Sequence, residues 1–228
     1  MRLFTKVKEK DFSYAGSGAF TQTPGSALAA SLFQATSNAN NELRLIGLTS
    51  THRKEGVTTV TSMLVQGLDK YPTKKLLLVD AALHNPKIHA LFGTNQQPGF
   101  TDLISKDSLD PQEAILPVGD TEIMVMPSGA VDLKSTAPFL TRVQQILDAL
   151  RDKFDMVVID LPPAGDFPEF VPLMSLLDGI VYVVEAHRTR TKAIRTVLGR
   201  LRSSKVNIIG GVLNRKKYYI PKFIYEMI

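Results

Sequence analysis

Six short, nearly continuous apolar runs punctuate the sequence: Leu43–Leu48, Lys75–Val79, Glu122–Met126, Phe154–Ile159, Gly179–Val184 and Val206–Leu213. They lack the alternation of a half-exposed strand, so each is expected to be buried on both faces. Between them lie stretches with helical periodicity. In Ala137–Asp152, Phe139, Leu140, Val143, Ile146, Leu147 and Leu150 fall on one face; in Thr191–Ser204, Ile194, Val197, Leu198 and Leu201 do the same. Strands that alternate with helices in this way predict an α/β domain with a mostly parallel sheet covered by helices on both faces.

This reading places the domain at residues 42–217. Residues 1–41, rich in Gly, Ser, Thr, Ala, Asn and Gln, form a flexible or partly helical lead-in whose one helical candidate is Ser26–Thr36, and residues 218–228 form a basic and aromatic tail. The chain has no cysteine, which excludes disulfides and thiolate metal sites. The first ten residues lack the apolar core of a secretory signal, and no apolar run approaches the roughly 18 residues needed to span a bilayer. The expected location is cytoplasmic, with room for a peripheral position on the inner face of the membrane.

Charge is segregated along the chain. Residues 1–185 carry 16 Lys/Arg and 21 Asp/Glu, whereas residues 186–228 carry 11 Lys/Arg and the single acid Glu226. A basic end of this kind suits an anionic partner: a membrane surface, an acidic protein face or, through charge alone, nucleic acid. A merely solvated basic helix is the alternative. His52, His84, His89 and His187 have no ligand spacing and imply no metal site.

In a parallel α/β sheet, ligands meet the carboxyl ends of the strands. The first such end is Leu48-Thr49-Ser50-Thr51-His52-Arg53-Lys54-Glu55-Gly56-Val57-Thr58-Thr59, a polar loop leading into a helix, where phosphate would find free backbone N–H groups. A working phosphate loop needs glycine for the curl, lysine for phosphate charge and Ser/Thr for magnesium. Gly56, Thr58 and Thr59 supply the first and third requirements. Val57 stands where the lysine belongs and Lys54 where an earlier glycine belongs. The second and fourth runs end in Asp80 and Asp160, two carboxylates placed to hold or orient hydrated magnesium, or else to cap the turns that follow. On this basis Gly56, Thr58 and Thr59 are candidate nucleotide contacts, and Thr58 and Asp160 candidate magnesium ligands.

Three blocks resemble the bacterial tyrosine autokinases of capsule and exopolysaccharide synthesis. The first runs from Thr49-Ser50 through Glu55-Gly56-Val57-Thr58-Thr59; the second is Leu77-Leu78-Val79-Asp80-Ala81-Ala82-Leu83-His84-Asn85-Pro86-Lys87-Ile88-His89-Ala90-Leu91-Phe92-Gly93; the third is Pro98-Gly99-Phe100-Thr101-Asp102-Leu103-Ile104. Val125–Gly129, Ile159–Pro163, Asp178–Ile180 and Gly211–Arg215 extend the match over roughly residues 43–217. The resemblance implies a P-loop NTPase fold of the MinD-like kind, Asn214 as a further nucleotide contact, Mg-ATP as cofactor if the nucleotide site is retained, and a membrane polysaccharide co-polymerase or other polysaccharide-assembly protein as partner rather than nucleic acid.

The departures bear on activity. The family's phosphate loop reads Pro-Gly-Glu-Gly-Lys-Ser/Thr, against Arg53, Lys54, Glu55, Gly56, Val57 and Thr58 here. Its Asp-x-Asp-x-Arg motif keeps Asp80 but meets Ala82 and His84. The Glu/Arg helix that joins family subunits into a ring is replaced by the uncharged Ser26–Phe33, and the tyrosine cluster is reduced to Tyr218, Tyr219 and Tyr225. Losing one preorganised charge from a phosphoryl-transfer site costs a factor of roughly a hundred to a thousand.

Three readings follow. One is an impaired kinase-like regulator or scaffold of polysaccharide production, with no cofactor and with Asp80 and Asp160 vestigial. The second is an active autokinase in which Arg53 or Lys54 replaces the missing charge, Asp80 assists the incoming tyrosine, and Tyr218, Tyr219 or Tyr225 accepts phosphate. The third is a ParA/MinD-like positioning ATPase, whose own loop calls for lysines where Val57 and His52 stand.

Overall fold

The computed structural model describes residues 2–5, 24–37, 43–70, 75–96, 98–106, 109–130 and 140–215. Among these, one eight-stranded sheet is built from β1 (Arg2–Thr5), β2 (Leu45–Ser50), β3 (Leu76–Asp80), β4 (Leu116–Pro117), β5 (Ile123–Met126), β6 (Met156–Asp160), β7 (Gly179–Glu185) and β8 (Ile208–Asn214), in the order β1-β8-β7-β2-β6-β3-β5-β4. The six strands from β8 to β5 are mutually parallel, while β1 and β4 close the two edges in antiparallel pairing. Those six are the apolar runs, shifted by a few residues. The edge strands escaped the sequence reading because four residues, or two residues ending in proline, are too short to carry a period.

Strand side chains alternate between two cores. Leu77, Val79, Val157 and Ile159 face one side, with α4 (Phe100–Ser105), α5 (Leu140–Lys153), α6 (Val171–Met174) and α7 (Thr191–Ser203). Leu76, Leu78, Met156 and Val158 face the other, with α1 (Pro24–Ser37), α2 (Val57–Leu68) and Ile88 at the start of α3 (Ile88–Phe92). This double burial is why the runs are continuously apolar. The stripes of α5 and α7 are core: Val143, Ile146, Leu147 and Leu150, and Ile194, Val197, Leu198 and Leu201, are all buried.

Within the lead-in, Leu28, Ala29 and Leu32 of α1 bury against α2. The crossing is close because both helices carry glycine at the contact. A Cβ on Gly25 would run into the Met63 carbonyl, and one on Gly67 into the Gly25 carbonyl. Pro98–Ile104 and Val125–Gly129 also meet: the Phe100 and Thr101 amides donate to Pro127 and Ser128 carbonyls at 2.8 Å, and the buried Asp102 carboxylate caps its own helix at the Gly99 amide. That pair of motifs is a structural joint.

Helical glycines separate the packing effect from propensity. Gly67→Ala is expected to destabilise by about 1–3 kcal/mol through overpacking. Gly199→Ala, in α7 with nothing within 4 Å of the added Cβ, is expected to stabilise by up to about 1 kcal/mol. Urea unfolding midpoints of the two variants check the opposite signs.

Candidate functional site

The loop after β2 has the curl of a phosphate loop. Gly56 lies at φ 89°, in left-handed space, and α2 starts at the next residue with no side-chain cap on its N-terminal N–H groups. Lys54 also takes a positive φ, 69°. A non-glycine residue there costs on the order of 1–3 kcal/mol, which the surrounding contacts offset.

Those contacts are side chains of the protein. Glu55 is buried, and its Oε2 accepts the Thr51 and His52 amides at 2.8 and 3.1 Å, while Oε1 accepts from the Thr189 hydroxyl. Asp166, six residues beyond Asp160, accepts the Arg53 amide at 2.8 Å and sits 2.9 Å from His52 Nδ1. Asn214 Nδ2 donates to the Glu55 carbonyl at 2.9 Å, and Arg215 Nη1 to the Lys54 carbonyl at 2.9 Å. A Cβ on Gly56 would meet the Asn214 amide, so the loop and the end of β8 are in close contact.

The loop carries two cations of its own. The Arg53 guanidinium lies over the Phe167 ring, 4.5 Å from its centroid. Lys54 is exposed. His84, at the position of the family's arginine, stacks on Phe167 at 4.0 Å and 13° and meets Phe170 edge-on. Arg53 and His84 thus converge on one aromatic ring and tie the loops after β2, β3 and β6 together. Sequence reasoning missed Asp166 and Phe167, which follow Pro162-Pro163 and belong to no motif. It quoted Glu55 without a role, although a carboxylate inside a phosphate-binding loop is itself a signal.

Asp80 and Asp160 are brought together. They are direct partners in the β3·β6 register, and both are fully buried. Their surroundings differ. Asp80 accepts three backbone N–H groups, from Ala82, Lys87 and Ile88, at 3.0–3.1 Å. Asp160 is met by the Thr58 and Thr61 hydroxyls, the latter at 3.4 Å from Oδ1, while its buried Oδ2 has no partner. Burial, then the neighbouring Asp80 charge, push the Asp160 carboxyl up to about 8. Burial also raises Asp80, against the pull of its three amides. The amides favour charge on Asp80, so the shared proton resides on Asp160.

The donor set fits a hydrated magnesium ion: an unpartnered carboxylate oxygen on Asp160 and the Thr58 hydroxyl at the head of α2. Of the remaining candidates, Thr59 is exposed in the first turn of α2 and Asn214 is engaged with the loop backbone. Tyr218, Tyr219 and Tyr225 lie outside the described residues. Among the described residues no three His, Cys, Asp or Glu side chains form a metal cluster, and no helix is long and apolar enough to cross a membrane.

Sheet order, loop geometry and paired strand-end carboxylates define an α/β domain of the P-loop NTPase type. No family model matches the chain. It is similar to the tyrosine-protein kinase CpsD of Streptococcus agalactiae, 27% identical over 179 residues covering 78% of this chain and 77% of CpsD. It is also similar to the tyrosine-protein kinase YwqD of Bacillus subtilis, 23% identical over 79% of this chain and 76% of YwqD. Among solved structures, the VpsO kinase domain superposes with a TM-score of 0.74 at 26% identity, covering 85% of this chain and 95% of that one. The septum site-determining protein MinD of Pyrococcus horikoshii, complexed with Mg-ADP, shares the fold at a TM-score of 0.62 and 20% identity, over 81% and 76% of the two chains. In sequence and in fold the chain is similar to the bacterial tyrosine autokinases.

The carboxylate pair sets a pH dependence. Between the ordinary aspartate range and about 8, the folded protein holds a proton on Asp160 that the unfolded chain releases. The pair therefore destabilises progressively as pH rises through that window. Chemical denaturation between about pH 5 and 8.5 should give a falling stability for the wild type and a flatter profile for Asp160→Asn. Parallel profiles would show that Asp160 is ionised throughout.

Proposed function

We propose that this protein is a catalytically impaired tyrosine-kinase-like regulator or scaffold in bacterial extracellular polysaccharide production, with a membrane polysaccharide co-polymerase or another assembly protein as its partner. The observation that carries the reading is Val57 at the lysine position together with the geometry around it. Arg53 is held against Phe167 and Lys54 is exposed in a left-handed turn, so on this reading neither supplies the missing charge. Ala82 and His84 remove a second acid and an arginine from the loop after β3, and Ala82 contributes only its amide, to Asp80. The capsular link and the co-polymerase partner rest on the resemblance to kinases such as CpsD.

A second reading, an active autokinase, is supported by one observation: the retained donor set of Thr58 and Asp160, with its unpartnered Oδ2. In that case Thr58 and Asp160 would hold magnesium, and the uncapped amides of Val57, Thr58 and Thr59 would face phosphate oxygens. Magnesium, when bound, would neutralise phosphate charge. Asp160 would have to release its proton to serve as a ligand, which makes nucleotide affinity rise with pH up to about 8.

Calorimetric titration with a Mg-ATP analogue separates the two. The regulator reading predicts no saturation up to about millimolar nucleotide for the wild type, and an affinity at least about tenfold higher for Val57→Lys. Micromolar binding by the wild type, followed by phosphotyrosine on incubation with Mg-ATP, would establish the active kinase instead.

A further inference from the structure

We propose that Arg53, Phe167 and His84 form a latch that keeps the Asp80–Asp160 carboxylate pocket shut against a divalent cation. A mouth closed at rest belongs to the regulator reading, and the latch rests on that reading to this extent. It concerns the bare cation and not nucleotide, so it can fail while that reading stands.

The pocket is closed as well as acidic. Both carboxylates are fully buried, and the buried Asp160 Oδ2 has no hydrogen-bond partner. A magnesium-like ion needs six oxygen ligands and keeps several of its waters, so a pocket of this kind has to open before it can load. Which segments must part follows from the sheet order. Strand β6 lies between β2 and β3, and Asp80 and Asp160 end their strands as direct partners. The chains that leave the two carboxylates therefore start side by side, with the loop after β2 on the other flank of β6.

Residues 162–167 form a strap from β6 onto the loop after β2. The Thr49 hydroxyl donates to the Pro162 carbonyl at 2.7 Å and accepts from the Ala164 amide at 3.1 Å. A Cβ on Gly165 would run into the Thr51 carbonyl, so the two backbones touch there. Asp166 accepts the Arg53 amide at 2.8 Å. The strap ends on the buried Phe167, whose ring takes the Arg53 guanidinium at 4.5 Å and the His84 ring in a parallel stack at 4.0 Å and 13°. Phe170 meets the same ring edge-on at 6.3 Å.

These polar contacts run to the loop after β2, and the Phe167 ring carries the closure over to the loop after β3. One aromatic side chain thereby joins the three loops that follow the strand ends around the pocket. Arg53 and His84 are both exposed, so neither is locked in place by burial and the contact is one that can release. Two ring contacts of this kind together favour closed over open by about tenfold or more. A site that is open for only a fraction of the time binds with an apparent affinity reduced by that fraction.

The test is titration of the nucleotide-free full chain with Mn²⁺, which takes the same oxygen ligands as magnesium, with free Mn²⁺ read by electron paramagnetic resonance. Phe167→Leu keeps apolar bulk and every charge in place, so it removes the ring contacts without changing the net charge around the pocket. It is expected to bind Mn²⁺ at least about tenfold more tightly than the wild type, and to lose that gain when Asp160→Asn is added. His84 provides an independent pair at an exposed position, which decides the matter even if thermal melting shows the leucine variant to be unfolded. His84→Phe, which keeps the stack, should stay within about twofold of the wild type, and His84→Ala should bind more tightly than either. Wild-type binding as tight as that of Phe167→Leu, a gain that survives Asp160→Asn, or equal affinities for His84→Ala and His84→Phe would each overturn the proposal.

Discussion

The buried carboxylate of Glu55 accepts the Thr51 and His52 amides and the Thr189 hydroxyl, and the loop after β2 is organised around it. Backbone N–H groups at the mouth of a parallel sheet must find acceptors, and in a nucleotide-loaded P-loop phosphate oxygens supply part of that demand. Here Glu55 from within and Asp166 from the β6 loop accept the amides of the loop's entry half, while Asn214 from β8 donates to the Glu55 carbonyl. The left-handed Lys54 is held from both sides: the preceding Arg53 amide donates to Asp166, and the Lys54 carbonyl accepts from Arg215.

The consequences spread from the loop to its neighbours. Arg53 joins His84 on Phe167, so a residue of the β2 loop and one of the β3 loop pack on a third loop. Thr49 reinforces this joint, donating to the Pro162 carbonyl at 2.7 Å and accepting from the Ala164 amide at 3.1 Å. The Asp80–Asp160 pair is what the rearrangement leaves uncompensated. Its register is fixed by β3 and β6, so the two carboxylates cannot separate, and a proton on Asp160 removes one of the two charges.

Much of the fold was legible because double-sided burial writes itself directly into sequence: Leu76–Val79 and Met156–Ile159 are apolar at every position for that reason. The strand-end aspartates and the phosphate-loop position were legible for a related reason, since a charged residue ending such a run has to lie at the sheet's mouth. What could not be read was the partner of each polar group. Asp166 lies 113 residues from Arg53 in sequence, and nothing local to either announces the contact. The helix α1 illustrates a different limit. Its Ala- and Ser-rich composition suggested a loose lead-in, yet Gly25 and Gly67 allow a crossing so close that three small and medium side chains suffice to bury it. Edge strands β1 and β4 take their pairing from β8 and β5 rather than from any period of their own.

The central claim is that side chains, and not a bound phosphate, hold the loop in its phosphate-binding shape. Hydrogen exchange at the Thr51, His52 and Arg53 amides in nucleotide-free protein tests it most directly, because each of these donates to a carboxylate. The account predicts exchange at least about a hundredfold slower than in an unstructured peptide, and a loss of that protection at Thr51 and His52 in Glu55→Ala. Exchange at peptide-like rates without nucleotide, with protection appearing only on adding Mg-ATP, would contradict it.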